Sequence, residues 1–381
     1  MSRALQAVRE AAVDGRLQNV ITRQTQLESL QKILLENVAS IEAAIEKDSG
    51  HSEAEAAVEL VLILRGLLDY YATLDEKLAL HREYAIARGE DGLERQDGIG
   101  IVYLVPTNYT LFYSVVITIC AAIASGNCIV IELGNTLKES FPLLRRLLKT
   151  ALDPSIVAFV SSRASDEDLG PNHIRILQST ISTEDKQPRS LSIPDPLISP
   201  SQARVVAVVD RTADLQKAAR ALITARFSFG GNSPYAPDVV LVNEFAEKAF
   251  VVALVEEMVK FTTDLNVVKP VDMGRARQVE EMLEASKKEG EVDATMSTSK
   301  GTLFRVKSRD AALLRHKMSG TNLLVLSVRS LDDAIDVANR SQGLLASYIF
   351  AAPTSGKYLS QFIQSQVSFV NQVPLDLLGQ C

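Results

Sequence analysis

IGIVYLVPTNYTLFYSVVITICAAIASGNCIVIEL, residues 99–133, is the stretch on which the fold turns. The β-branched run Ile99–Val105 stops at Pro106, which lacks a backbone N–H and favours an extended residue before it. A helical stretch follows, Leu111 to Ala124. Ser125, Gly126 and Asn127 then turn the chain into a second apolar run, Cys128 to Leu133. Strand, helix and strand in succession form a βαβ unit, with parallel strands buried on both faces.

The same alternation extends outward. Leu137–Leu152 reads as a helix and Ile156–Val160 as a strand. Beyond residue 203 the strands are Arg204–Val209, Val239–Val242, Leu323–Val328, Ser347–Ala351 and Ser368–Asn371. The helices there are Leu215–Phe227, Ala246–Phe261, Gly274–Lys288, Leu331–Asn339 and Gly356–Gln366. Upstream the chain is helical: Leu27, Leu30, Leu34, Val38, Ile41 and Ile45 line one face from Thr22 to Lys47. Ser52 and Glu55 have the form of a capping box that opens a helix carrying Val58, Val61, Leu62 and Leu68. Prolines 188, 194, 196 and 200 make residues 182–202 a loop or linker. Glu83–Arg95, with Gly89-Glu90-Asp91-Gly92 at its centre, has the form of a β-hairpin. The expected division is 1–202 for the helices and a Rossmann-like domain (hairpin about 83–98 included), 203–367 for a second α/β domain, and 368–381 for a short C-terminal segment. The fold class is α/β, with ligands expected beyond the carboxyl ends of the parallel strands.

Composition narrows the function. The chain has 381 residues, 46% hydrophobic and 23% charged, with a net charge of −7. No run of Lys and Arg stands out, so nucleic acid and anionic membranes are not expected partners. MSRALQAVREAAVDG lacks the apolar core of a signal peptide, and Ser125–Asn127 interrupts the longest apolar stretch, Val115–Leu133, so no membrane span is expected. Cys120, Cys128 and Cys381 at unrelated spacings, and four scattered histidines, imply neither a disulfide framework nor a metal site. A cytoplasmic setting is expected.

Three segments carry a family resemblance. VPTNYT…AAIASGNCIVIELGN (105–135) is similar to a strand ending in Pro-Trp-Asn-Tyr, a helix, and Gly-Asn-x-Val-Val-Leu-Lys-Pro-Ser-Glu. GGNSPYAPDVVLV (230–242) is similar to Gly-Gln-x-Cys followed by a strand. SLDDAIDVANRSQGLLASYIFA (330–351) with VSFVNQ is similar to a Glu-Ala-Ile-x-x-Ala-Asn helix, a Leu-Ala strand and a Gly-x-x-x-Asn turn. DSGHSEAEA resembles Asp-x-Gly-Lys-x-x-x-Glu-Ala, and the tail PLDLLG resembles a fungal branch. Together they resemble the aldehyde dehydrogenase superfamily. The resemblance implies an NAD domain, a catalytic domain and an oligomerisation β-ribbon, here reduced. It implies a mechanism in which a cysteine thiolate attacks the aldehyde, hydride passes to NAD, and a glutamate activates water.

Matched residue by residue, the chain departs from that chemistry. Pro234 falls where the cysteine belongs, and proline offers no nucleophile. Ser233 beside it has no evident base. Pro200 falls near the glutamate's place, with no carboxylate between Asp195 and Asp210. Glu132 and Asn135 stand where the family's lysine and glutamate hold the adenosine ribose, and Lys317 where a glutamate holds the nicotinamide ribose. The family's Gly-Ser turn before the pyrophosphate-binding helix reads Gln178-Ser179-Thr180 here, and the proline-bearing segment replaces the helix. These changes together lead to the expectation that NAD binding is lost and no cofactor is used. Asn108 matches the asparagine that binds the carbonyl oxygen as it becomes an oxyanion, and an Asn there is equally a helix cap. Tyr109 and Tyr113 are candidate hydrogen-bonding groups or core residues. Asn232, Ser233, Tyr235 and Asn371 are candidate pocket residues or turn formers. The expected function is a repurposed pocket that binds or converts a carbonyl metabolite without redox chemistry, by isomerisation or cyclisation. The competing reading is a non-catalytic partner of an active aldehyde dehydrogenase. A third is a dehydrogenase with an unexpected nucleophile. A homodimer is compatible with any of them.

Overall fold

A computed structural model of the chain describes residues 3–91, 96–134, 139–179, 194–262, 273–298, 301–340 and 343–379. The chain divides into two compact units, residues 1–48 with 56–199 and residues 49–55 with 200–381.

The first unit opens with helices α1 (Arg3–Val13), α2 (Val20–Glu36), α3 (Val38–Ser49), α4 (Glu53–Ala72) and α5 (Glu76–Glu83). The single helix expected over Thr22–Lys47 is two helices, broken at Asn37. Its side chain donates to Ile33 O at 2.8 Å and its backbone N–H to Leu34 O, so the backbone leaves the helical region there. The hairpin expected at about 83–98 is also corrected. Among the described residues of that stretch there is no strand, and Ile86–Arg88 form a 3-10 turn closed by left-handed Gly89. The glycine that suggested a hairpin ends a helical turn instead. Residues 92–95 lie outside the described residues.

Five parallel strands follow: β1 (Ile101–Val105), β2 (Cys128–Glu132), β3 (Val157–Val160), β4 (His173–Leu177) and β5 (Leu197–Ile198), in the order β3-β2-β1-β4-β5. Helices α6 (Leu111–Ala124), α7 (Ser140–Ala151) and α8 (Asp166–Leu169) connect them. All five residues of β1 are buried, as a strand covered on both faces requires. Asn127 sets the entry to β2. Its Oδ1 accepts the Gly100 N–H at 2.8 Å and its Nδ2 donates to Ser125 Oγ at 2.9 Å. Most of the proline-bearing stretch 182–202 lies outside the described residues.

In the second unit β6 (Val205–Val209), α9 (Leu215–Phe227), β7 (Val239–Asn243), α10 (Glu247–Thr262) and α11 (Met273–Lys288) precede β8 (Val292–Thr298) and β9 (Gly301–Val306). Then come β10 (Asn322–Val328), α12 (Leu331–Asn339), β11 (Leu344–Phe350), α13 (Pro353–Phe362) and β12 (Ser365–Val370). The strand order is β12-β11-β6-β7-β10-β9-β8, parallel except for the antiparallel pair β8–β9. Two apolar layers cover this sheet, one including Phe250, Tyr348 and Phe350, the other Leu241, Phe304 and Leu326. Segment 49–55 belongs to this unit: Glu55 Oε1 accepts the Phe229 N–H at 2.7 Å, and His51 packs edge-on against the Phe229 ring. The expected capping box is present, with Ser52 Oγ accepting the Glu55 N–H at 3.2 Å and Glu55 Oε2 accepting the Ser52 N–H at 3.0 Å.

Candidate functional site

In the first sheet the strand order reverses between β1 and β4. Parallel sheets bind ligands outside the carboxyl ends of their strands at such a point. The residues leaving β1 there are Pro106, Thr107 and Asn108; those leaving β4 are Gln178 and Ser179. Ser114, in the first turn of α6, accepts the Thr107 N–H at 3.3 Å and donates to Gln178 Oε1. The two sides of the switch point are thereby tied together around half-buried Asn108.

Asn108 is not the cap of α6. Thr110 holds that position and makes no side-chain capping bond. The acceptor comes instead from α4, where Glu59 Oε1 receives the Tyr113 N–H at 3.1 Å. Burial pushes the Glu59 carboxyl up to about 8, against the backbone N–H groups of Tyr113 and Phe112, which favour the charged form. The sequence carried a signal for this residue: a lone acid inside the apolar run VELVLIL. Tyr109 and Tyr113 are both buried, and Tyr113 packs in this unit's apolar core.

Glu132 ends β2. Its Oε2 accepts the Tyr103 hydroxyl and lies 3.1 Å from Arg163 Nε, while about a fifth of the side chain stays exposed. Asn135 lies outside the described residues. Cys120 and Cys128 are buried, and desolvation pushes both thiols up to about 12, so neither is a thiolate near neutrality. Cys381 lies outside the described residues.

In the second unit the turn before β7 carries the other candidates. Phe229, Gly230 and Gly231 all have positive φ, 52°, 63° and 67°. A side chain at Gly231 would place its Cβ 2.3 Å from Gly320 O, so only glycine fits. Asn232 Nδ2 closes the turn onto Phe229 O at 3.0 Å. Ser233 is buried and its Oγ accepts the Tyr235 N–H at 3.2 Å. Tyr235 O accepts the Tyr348 hydroxyl at 2.9 Å.

Lys317 lies beneath this turn. Its Nζ donates to Pro234 O at 2.6 Å and Ala236 O at 3.0 Å, and sits 3.2 Å from Asp238 Oδ2. Asp238 also pairs with fully buried Arg226 at 3.3 Å and accepts the backbone N–H groups of Val205 and Met318. Sequence matching places Lys317 where the family's glutamate holds the nicotinamide ribose, a contact expected to be lost; the structure gives it buried acceptors on the Pro234 turn. Asn371, with φ 57°, accepts the Ala351 N–H at 3.0 Å and donates to Ala351 O at 2.9 Å, locking the end of β12 onto β11. Among the described residues no group of three or more His, Cys, Asp or Glu could hold a metal, and no helix is long and apolar enough to cross a membrane.

Residues 1–184 and 197–374 match the aldehyde dehydrogenase family model. The chain belongs to the aldehyde dehydrogenase family. It is 24% identical over 375 residues to aldehyde dehydrogenase family 3 member B1 of Mus musculus, covering 91% of this chain and 77% of that protein. Among solved structures it resembles a substrate-bound AldH of Staphylococcus aureus, with a TM-score of 0.77 and 16% identity over 99% of this chain and 86% of that one. A NAD-dependent benzaldehyde dehydrogenase from Corynebacterium glutamicum superposes with a TM-score of 0.76 and 15% identity, over 99% of this chain and 86% of that chain. These structural likenesses show the fold. They and the family assignment also overturn one expectation. Loss of the cofactor was expected from Glu132, Asn135, Lys317, the turn Gln178-Ser179-Thr180 and the proline-bearing segment 182–202, yet this family and fold include a NAD-dependent enzyme and an indole-3-acetaldehyde dehydrogenase solved with NAD+. The parallel sheet keeps the strand-order reversal at which this fold class binds its ligands, and the expectation is withdrawn.

Proposed function

We propose that this member of the family binds a nicotinamide dinucleotide and a carbonyl compound, and acts on the carbonyl without forming a thiol adduct. The carrying observation is the turn Gly231–Ala236, which presents Pro234 where the family's pattern has its cysteine. Two further observations support the reading: Ser233 is buried in the second unit, and in the first unit the thiols of Cys120 and Cys128 are neutral and packed in the core.

The donor set at the sheet edge fits a dinucleotide. A carboxylate at the end of the second strand is the usual acceptor for an adenosine ribose diol. Among the described residues, Tyr103 and Arg163 contact Glu132 at Oε2, and Arg163 offsets its charge. When bound, the dinucleotide supplies hydride chemistry. The residues of this chain bind and orient: the Asn108 amide donates to the carbonyl oxygen, and the Ser114–Gln178 contact fixes the crevice behind it.

The test combines two readouts. Titration with NAD, followed by intrinsic tyrosine fluorescence, should saturate. Intact-mass measurement after incubation with a panel of aldehydes should show no cysteine adduct. Replacing Asn108 with Ala should weaken carbonyl binding about tenfold, equivalent to about 1.4 kcal/mol. An aldehyde-derived adduct on any cysteine would sink the proposal.

A further inference from the structure

We propose that a cleft along α7 binds the phosphate group of a phosphorylated ligand, with Arg145, Arg146 and Lys149 as its contacts. The cleft measures about 680 Å³ and opens at the carboxyl ends of β2 and β3, where Leu133, Gly134 and Ser161 line it. That volume lies within the roughly 300–1,000 Å³ typical of small-molecule sites. Among its described lining residues there are three cations and no carboxylate, although the whole chain carries a net charge of −7.

Arg145, Arg146 and Lys149 lie on the exposed face of α7, opposite its buried Leu144, Leu147 and Leu148. Arg145 and Lys149 are four residues apart on one face, a like-charge pair that costs an isolated helix a few tenths of a kcal/mol. Nothing on α7 offsets it. Asp153, the acid four residues beyond Lys149, instead contacts Arg16 at 3.5 Å and Ser155, and Glu139 pairs with Lys47 at 2.5 Å. The Arg145 guanidinium sits over the Phe159 ring, 5.8 Å from its centroid, which restricts it at the rim of the cleft. Guanidinium groups match phosphate oxygens in geometry, and Ser161 adds a hydroxyl. The phosphate source is a soluble ester or a lipid headgroup, and the chemistry of recognition is the same.

The test uses the full chain and its triple variant Arg145→Gln, Arg146→Gln, Lys149→Gln. All three side chains are exposed and Gln keeps helix propensity, so the variant should melt with the parent. Isothermal titration with inorganic pyrophosphate tests the soluble source. Flotation with phosphatidylcholine vesicles, with and without phosphatidylinositol bisphosphate, tests the lipid one. Binding in either arm that falls at least tenfold in the variant, with NAD affinity unchanged, supports the site and identifies its source. No binding by the parent in either arm, or equal binding by the variant, overturns it. So does a parallel loss of NAD affinity, which would assign the cleft to the dinucleotide. Because NAD is titrated separately, failure here leaves the proposed function standing, and failure of NAD binding leaves this site standing.

Discussion

At the scale of single residues, two buried ionisable groups matter most. Glu59 keeps its proton in the folded protein up to about pH 8, whereas its ordinary value is 4.5. Between those values the folded state binds a proton that the unfolded chain has released. Its contribution is therefore full at low pH and declines as pH rises through that window. Glu59→Gln keeps an acceptor for the Tyr113 N–H and removes the titration. Thermal melts at pH 5.5 and pH 8 should show the variant gaining on the parent as pH rises; a constant difference would contradict this account. Lys317→Met removes a buried ammonium from Pro234 O, Ala236 O and Asp238. Breaking such a site costs about 3–5 kcal/mol, to be read as a lowered urea midpoint. The departure of Pro234 was legible in the sequence because nucleophile identity is a matter of residue type. What Lys317 does was not, since its acceptors lie about eighty residues away in sequence.

At the scale of elements, the turn before β7 is held in the left-handed region over Phe229, Gly230 and Gly231, with Glu55 accepting the Phe229 N–H. Gly231→Ala adds about 1–3 kcal/mol of backbone strain, and a clash with Gly320 O on top of it. Chemical denaturation should show that loss, and a variant as stable as the parent would mean the turn adopts another path. Periodicity predicted α6 with the bounds the structure has, Leu111–Ala124, and α12 likewise, because a buried helix between turn residues leaves its ends marked. It did not find β4, where His173 and Arg175 interrupt the apolar run. The two polar side chains are nevertheless buried, held by Asp166 at 3.2 Å and 2.6 Å. It also missed the β8–β9 pair, whose exposed face reads as a polar segment.

At the scale of the molecule, the proposed dinucleotide site makes stability depend on ligand. At a hundred times its dissociation constant, NAD should stabilise the native state by about 2.7 kcal/mol, and differential scanning fluorimetry should record a raised melting temperature. No shift at saturating NAD would count against dinucleotide binding. The sequence by itself determined the α/β class, the parallel strands and the family resemblance, because these rest on residue type and local periodicity. Only the tertiary structure decided which residues meet. It assigned the cap of α6 to Glu59, set Lys317 beneath the Pro234 turn, and brought Phe159 under the Arg145 guanidinium at the cleft. Those outcomes depend on burial and on contacts between distant segments, and local sequence encodes neither.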